Sequence, residues 1–515
     1  MAQGGGMYTE IVDDITIDNA GNNYITGFFP KTITFGPYSL TSSGSVDIFV
    51  AKIDSRGNWL WATKAGGSNY DRGYSITVDK VGNCYMTGYF EGTAIFGSKS
   101  LTSVGNSDIF IAKIDRDGKW LWATKSGGDD YISVEGVSVD NIGNIFVTGY
   151  FEDTAVFDSC LINSNGKYDI FVAKMDAGGK WLWASNAGGT SHDNCNEIIS
   201  DEAGNIYLIG NFCGSAFFGP FVLTTGDYPD IFVAKMDTNG NWQWAIQAGG
   251  SLYDIGSSII LDDFGNCYVT GYIRGHASFG SLMLEGSERD DDIFVAKVDN
   301  YGSWIWATKS SGNCNDQGSS ITIDDSRNCY ITGWFDEEAI FDTYSLMCNG
   351  SSDVFVAVLD VEGNWQWATQ ANLENSVAGY DITLDARGHC YVAGVFSGTA
   401  KFGFHTLTSI HDQDIFVAKI KSLMLSNEPL IKITNNYPNP IKSQTVISYY
   451  IKQDLHVSLE VYNLKGQLVE TLLQGNIQAG DHTIEWNCQN IPAGVYFLNM
   501  KAGNDESVQK MVLLR

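Results

Sequence analysis

No stretch of this 515-residue chain stays apolar for the ~18–20 residues that a membrane-spanning helix requires. Its opening, Met-Ala-Gln-Gly-Gly-Gly-Met-Tyr, has neither a basic start nor an apolar core, so it does not read as a signal peptide. Basic residues are scarce: 31 Lys and Arg stand against 60 Asp and Glu, a formal charge of −29. Such a surface repels phosphate backbones, and nucleic acid is excluded as an expected partner. The seven His are scattered, with no His-x-His and no His-Glu-x-x-His, which argues against zinc. Neither a Gly-x-Ser-x-Gly elbow nor a phosphate loop ending in Lys-Ser/Thr occurs. The ten Cys show no disulfide framework. Cys84, Cys267, Cys329 and Cys390 share a position that Asn23, Ile145 and Ile206 fill elsewhere, so they read as small buried hydrophobes.

What is present is a repeat. Asp-Ile-Phe-Val-Ala-Lys, or a near copy, begins at Asp47, Asp108, Asp169, Asp230, Asp292, Asp353 and Asp414, at spacings of 61, 61, 61, 62, 61 and 61. Each copy carries two short β-rich segments before this one, and each of the first six a Trp-x-Trp segment after it. Asp-x-x-Gly turns separate the segments: Asp caps the turn and Gly takes the positive-φ position. There are thirteen such turns from Asp18 to Asp385, and only the one at Asp324 has Arg327 in place of Gly. They resemble calcium loops superficially but offer one or two carboxylates where a calcium loop needs several, leaving calcium a weak alternative. The third segment is apolar on both faces, so both faces are covered. Four antiparallel strands with two covered faces, repeated seven times, predict an all-β seven-bladed β-propeller over residues 1–421.

Twelve of the fourteen Trp fall in six pairs: Trp59/Trp61, Trp120/Trp122, Trp181/Trp183, Trp242/Trp244, Trp304/Trp306 and Trp365/Trp367. Because they recur, inter-blade packing is the expected role, and strand periodicity places both members of a pair on one face, as a slab against the next blade. Glu10, Asp71, Asp193, Asp254 and Asp316 each precede the first turn of their copy by eight residues. They are candidate acids at the rim of the central channel, where two carboxylates ~5–10 Å apart would suit a glycosidase. The connections Glu91–Ser107 and Arg274–Asp291 read as variable loops that would carry specificity.

The repeat counts unevenly, since the seventh copy has no Trp-x-Trp segment. Gln3 to Gly6 aligns with Lys64 to Gly67 at the 61-residue period and reads as the end of a fourth strand. The expectation is a closing strand truncated at the N-terminus, its Trp-x-Trp part lying upstream of Met1, and an unpaired edge beside Phe416.

The sequence Gly-Asn-x-Tyr-x-Thr-Gly, Phe-Gly, Leu-Thr-Ser, Asp-Ile-Phe-Val-Ala-Lys and Trp-x-Trp-Ala resembles the SBBP-type propeller repeat of bacterial secreted and surface proteins. That resemblance implies the fold and no particular activity. The last 80 residues are similar to the type A sorting domain of the type IX secretion system of Bacteroidota. The matching residues are Asn436-Tyr437-Pro438-Asn439-Pro440, Val461-Tyr462-Asn463-Leu464-Lys465-Gly466-Gln467, Trp486, Ala493-Gly494-Val495-Tyr496 and Lys510 to Arg515. Many members have Gly where this chain has Cys488. The resemblance implies a small Ig-like β-sandwich over 436–515 behind a linker at 422–435, recognised by the type IX machinery and removed after export. Quinone-dependent dehydrogenases carry a propeller motif related to Ala51 through Trp59, with different spacing. The reading is therefore a non-catalytic, cofactor-free exported scaffold for protein or glycan contacts, found at the outer-membrane surface or outside the cell. A propeller glycosidase or quinone-dependent dehydrogenase is the alternative.

Overall fold

The computed structural model describes residues 1–128, 131–312, 314–348, 350–373, 377–403, 405–420, 431–451, 455–478, 480–502 and 505–514. Two compact units divide the chain, Met1–Lys421 and Ser422–Arg515. Among the described residues, every regular element of both is a β-strand.

In the first unit each copy of the repeat folds into one antiparallel four-stranded sheet. The first sheet runs Ile11–Ile17, Asn23–Phe29, Asp47–Ile53 and Trp59–Gly67. Its third strand is buried at every position, as expected of an apolar strand covered on both faces. The seven first strands are Ile11–Ile17, Asp71–Val78, Ile132–Val139, Asp193–Ser200, Asp254–Leu261, Asp316–Ile323 and Val377–Leu384. Each touches the next, and the last returns to the first, so they ring a common axis. The Asx turns follow from the sequence. Asp18 Oδ1 accepts the amides of Ala20 and Asn22 at 3.0 and 2.9 Å, while Oδ2 accepts Asn22 Nδ2 at 2.9 Å and the Tyr24 hydroxyl at 3.0 Å. Hydrogen bonds from within the turn and from Tyr24 thus reach both oxygens, which is what the turn asks of this Asp. Arg327 takes the left-handed conformation, φ 64°, that Gly supplies elsewhere.

The Trp pairs depart from the expected slab. Trp61 sits opposite Lys52 and Trp59 opposite Ile53, so Leu60 is an extra residue in the ladder and is 40% exposed. The same shift recurs in the other five pairs. Trp122, Trp183, Trp244, Trp306 and Trp367 stand opposite Lys113, Lys174, Lys235, Lys297 and Val358. Trp120, Trp181, Trp242, Trp304 and Trp365 stand opposite the very next residue of the third strand. This bulge breaks the period of two and turns the two indoles of a pair to opposite sides of the sheet, so no pair forms one slab.

The second Trp of a pair reaches forward. The Nε1 of Trp61, Trp183, Trp244 and Trp306 donates to the carbonyls of Arg116, Thr238, Asn300 and Val361 in the following blade, at 3.0–3.3 Å. Trp122 lies over Gly179 of the following blade, where an added Cβ would stand 3.2 Å from its ring. Trp367 is the exception, its Nε1 finding no hydrogen-bond partner among the described residues. With their edges at the outer turns, Trp61, Trp122, Trp183, Trp306 and Trp367 are only part-buried, and Trp244 alone falls in the core. The first Trp reaches back: Trp120 Nε1 donates to Thr63 Oγ1 and Trp304 Nε1 to the Gln247 carbonyl of the preceding blade, both at 3.2 Å. A blade carrying both thus clamps both neighbours.

The connections expected to vary are also structural. Residues 91–107 contain a hairpin in which Thr93–Thr102 and Phe96–Lys99 pair, and its inner strand joins the end of the previous blade through Gly66–Ile95 and Gly67–Ala94. A Cβ on Gly67 would lie 1.9 Å from the Thr93 carbonyl oxygen, which accounts for the recurring Gly-Gly. His276–Phe279 and Leu282–Glu285 form the same hairpin within 274–291.

Ala2–Gly6 completes the seventh sheet, with Ala2, Gln3 and Gly4 opposite Val417, Phe416 and Ile415. The edge beside Phe416 is therefore occupied, contrary to the expectation, and the paired register ends at Val417.

The second unit is two antiparallel sheets around one core. Ile431–Tyr437, Gln444–Ile451 and Gly480–Asn487 form one; Leu468–Ile477, Leu455–Asn463, Gly494–Ala502 and Asp505–Leu513 form the other. Trp486, 1% exposed, sits in that core and donates Nε1 to Glu470 Oε2 at 2.9 Å. The Asn-Pro motif acts locally. Asn439 Oδ1 accepts the Val512 amide at 3.0 Å and Asn439 Nδ2 donates to the Lys510 carbonyl at 3.2 Å, pinning the last strand.

Candidate functional site at the propeller axis

The five acids expected at the channel rim are not there. Glu10, Asp71, Asp193, Asp254 and Asp316 are all fully buried. Asp71 accepts the Gly67 amide at 2.7 Å and the Glu91 amide at 3.3 Å, and Asp193 and Asp254 repeat the arrangement with Gly189, Cys213, Gly250 and Arg274. They tie the end of a fourth strand to the hairpin laid over it. Burial, with a nearby third-strand carboxylate adding to it, pushes Asp71, Asp193 and Asp254 up to about 7, Glu10 to about 8 and Asp316 to about 9.

Other residues occupy the axis. Every first strand carries a bulge, at Asp13, Tyr74, Glu135, Asn196, Ser257, Ser319 and Tyr380 in turn. In five of the seven blades the side chain after the bulge accepts an amide of the neighbouring first strand. Asp14 accepts the Ile76 amide at 2.7 Å, Asp381 the Ile15 amide at 2.9 Å and Glu197 the Ile259 amide at 2.6 Å. Ser75 and Ser258 do the same for Val137 and Ile321 at 3.3 and 3.2 Å.

These two layers hold five carboxylates, on Asp13, Asp14, Glu135, Glu197 and Asp381, all partly exposed, with Arg72 on the adjoining turn of strand. Arg72 pairs with Asp13 at 2.5 Å and lies over the rings of Phe28 and Tyr74, at 4.8 and 4.5 Å to the centroids. Desolvation, opposed by Arg72, brings Asp13 to about 6. Desolvation also brings Glu135 to about 7, and with the Asp381 charge brings Glu197 to about 8. Asp14 is held well above the carboxylate range by burial and then by the neighbouring Asp381.

Aromatic rings surround the mouth. The first strands pair there with half-exposed Phe28, Tyr89, Tyr150, Tyr272 and Trp334 of the second strands. Tyr70 stacks on Tyr89 with centroids 6.0 Å apart and planes 9° apart, and Phe28 lies 6.0 Å from Tyr70. Tyr131 stacks on Tyr150 at 5.9 Å and Tyr168 lies 4.9 Å from His192. The arc so formed spans blades one to four beside the carboxylates. Sequence reasoning passes over these residues because it follows what recurs. Their signal lies in the opposite property: positions fixed by the repeat whose occupants vary among the copies. Among the described residues, no group of three or more His, Cys, Asp or Glu side chains is arranged to hold a metal ion.

The chain's likeness to known proteins agrees with the two units. The family model for the β-propeller repeat SBBP matches residues 60–89 and 243–277. The model for the secretion system C-terminal sorting domain matches residues 435–514. The chain is 23% identical over 486 residues to an uncharacterised WD repeat-containing protein, L264, of Acanthamoeba polyphaga mimivirus, covering 74% of this chain and 35% of that protein. It is 24% identical over 238 residues to the regulatory protein FlaEY of Caulobacter vibrioides, covering 42% of this chain and 24% of that one. The chain thus spans about a third or less of these relatives' lengths. Among solved structures it is similar to PorZ, a surface component of the type IX secretion system of Porphyromonas gingivalis, at a TM-score of 0.31 and 12% identity over 99% of this chain and 75% of that one. No helix of the described residues is long and apolar enough to cross a membrane. The chain carries SBBP-type β-propeller repeats and, at its C-terminus, a sorting domain of the type IX secretion system.

Proposed function

We propose that this chain is an exported binding scaffold whose propeller axis holds a glycan or peptide ligand without transforming it, the sorting domain engaging the type IX machinery and being removed afterwards. The observation that carries the reading is the contrast at the axis. A frame repeated almost residue for residue surrounds a mouth where aromatic rings, an Arg and carboxylates stand at positions whose occupants vary among the copies. Half-exposed rings beside hydrogen-bonding side chains suit the apolar faces and hydroxyls of sugars better than a flat protein surface. The reading calls on no cofactor. A glycan and peptide array with the full chain tests it: ligand retained by the wild type and lost by Arg72→Ala with Tyr89→Ala supports the axial mouth, whereas ligand held equally by both contradicts it. For the tail, deleting residues 436–515 in a type IX-competent host should leave the propeller in the periplasm, and normal surface display of the truncated protein would end that part of the proposal.

One observation favours the hydrolase alternative. Glu135 and Glu197 are pushed into the range where a carboxyl stays protonated near neutrality, as a general acid must. Turnover of an array-positive glycan, lost in Glu197→Gln, would establish it. The dehydrogenase alternative gains no comparable support, since Ala51 is buried and Trp59 packs on Phe35 at 4.8 Å.

A further inference from the structure

The joints between blades are alike in backbone and unlike in charge. Each third strand opens on a buried Asp, and the first strand of the next blade begins beside it. The amides of Asp71, Asp193 and Asp254 donate across three of these joints to the carbonyls of Val46, Tyr168 and Pro229, at 3.1, 2.8 and 3.0 Å. The first strand brings a second buried acid to five joints, whereas Ile132 and Val377 hold its place at the other two. Between blades three and four the two carboxyls close on one backbone point. A Cβ on Gly188 would stand 2.8 Å from Asp169 Oδ1 and 2.9 Å from Asp193 Oδ2, so only Gly fits between them.

The joints differ in what balances these acids. Asp47, Asp108 and Asp292 pair with Lys64, Lys125 and Lys309 of the fourth strand, at 2.6, 2.5 and 3.1 Å. Asn186 and Gln247 take that place in blades three and four. Asp169 Oδ2 accepts the Asn165 amide and side chain, both at 3.0 Å, but its Oδ1 and that of Asp230 are buried without a hydrogen-bond partner among the described residues. The Gln247 side chain is bonded at both ends to the Thr224 backbone. The remaining neighbours supply no positive charge to the pairs. His192 is exposed and lies 4.9 Å from Tyr168, Cys213 brings a thiol beside Asp193, and the Arg274 guanidinium is turned to Asp291 at 2.7 Å. Two carboxylates enclosed side by side cannot both ionise without a counter-charge. Burial pushes Asp193 and Asp254 up to about 7, the charges of Asp169 and Asp230 adding to it, and burial also raises Asp169 and brings Asp230 to about 6.

We propose that the joints between blades three and four and between blades four and five are proton latches, closed while a carboxyl of Asp169/Asp193 and of Asp230/Asp254 carries a proton and loosened once it leaves. What each latch holds is the hairpin laid over its joint. Asp193 accepts the Gly189 and Cys213 amides at the foot of the hairpin Ser215–Phe218 and Phe221–Thr224. Asp254 accepts the Gly250 and Arg274 amides at the foot of His276–Phe279 and Leu282–Glu285. The closed joint binds a proton that the opened joint, with its carboxyls in water, gives up. Opening therefore becomes easier as the pH climbs from the ordinary Asp range to about 7, and levels off above it. The latches are separate from the axial mouth, and a failure of ligand capture there leaves them untouched.

Amide hydrogen exchange of the full chain, corrected for intrinsic rates, reads each joint by itself. Protection at Cys213 and Arg274 should fall at least about tenfold between about pH 5 and 7. Glu152, the counterpart of Cys213 at the Ile132 joint, donates its amide to the Tyr131 carbonyl at 2.9 Å and should keep its protection. Asp193→Ile, which copies the Ile132 joint, should abolish the fall at Cys213 and leave that at Arg274. If this variant does not fold, the wild-type comparison of Cys213 and Arg274 with Glu152 decides. A fall of equal size at Glu152, protection at Cys213 and Arg274 that ignores pH, or a fall at Cys213 undiminished by Asp193→Ile would overturn the proposal.

Discussion

The outer ends of the blades and the residues on their axis follow opposite rules. At the outer end, Asx turns, bulged Trp pairs and Gly-Gly hairpin contacts return in copy after copy, each making a contact that the next blade needs. On the axis, the residue following each bulge is Asp14, Ser75, Gly136, Glu197, Ser258, Ser320 and Asp381, a position where charge, hydroxyl and bare backbone replace one another. What repeats builds the outer ring; the varied position, five of whose seven occupants also bond to the neighbouring first strand, borders the proposed ligand site. Substitutions that separate stability from binding can break that comparison.

The largest effect is expected at the outer clamp. Trp120→Ala removes a ring that packs edge-on against Phe96 at 5.3 Å and leaves Thr63 Oγ1 without its donor. A loss of ~3–5 kcal/mol is expected by chemical denaturation; a loss below ~1 kcal/mol would return these Trp to the ligand surface. Next comes the turn. Asp201→Ala deprives the amides of Ala203 and Asn205 and the Asn205 side chain of their acceptor, and should cost about 1–3 kcal/mol with no change in ligand capture.

Much of this frame is legible in the sequence. The 61-residue spacing and the β-rich segments mark the blades, and the Asp-x-x-Gly pattern locates the turns. Where sequence and structure part, the causes are physical. Trp59 and Trp61 share a face only if the period of two holds, and one extruded residue, Leu60, cancels it. Trp122, Trp183, Trp244, Trp306 and Trp367 leave the face of their partners for the same reason. Residues 91–107 read as a loop because the Gly-Gly that receives the hairpin lies in the preceding copy, a pairing no local pattern reveals. Asp71 and its counterparts read as rim acids because a carboxylate beside a strand end gives no sign of whether backbone amides will enclose it. The axial acids escape a sequence reading since Asp14 and Asp381 meet across the closure of the ring, hundreds of residues apart along the chain.

A smaller and pH-dependent effect sharpens the axial half of the comparison. Glu135 and Glu197 have folded values raised to about 7 and about 8, so the folded chain binds more protons than the unfolded chain above the ordinary Glu range. Their contribution is fully present below about pH 4.5 and is lost as pH rises through 7 to 8. Glu197→Gln should flatten the fall in stability between about pH 5 and 8 relative to wild type, read from denaturation midpoints across pH. A parallel, unflattened curve would mean that the side chain is solvated. The smallest effect is expected at the surface pair Lys80–Glu202, 3.5 Å apart and exposed on both sides. Lys80→Ala should shift neither stability nor binding measurably, and a clear loss of either would show that the outer surface is engaged in function.

The central claim is that the varied axis binds while the repeating frame only supports it. The most direct measurement pairs ligand capture with the denaturation midpoint for the wild type and for Arg72→Ala combined with Tyr89→Ala. The account predicts that the variant loses the captured glycan or peptide while its stability stays within about 1 kcal/mol of wild type. Undiminished capture by a variant of unchanged midpoint would contradict it.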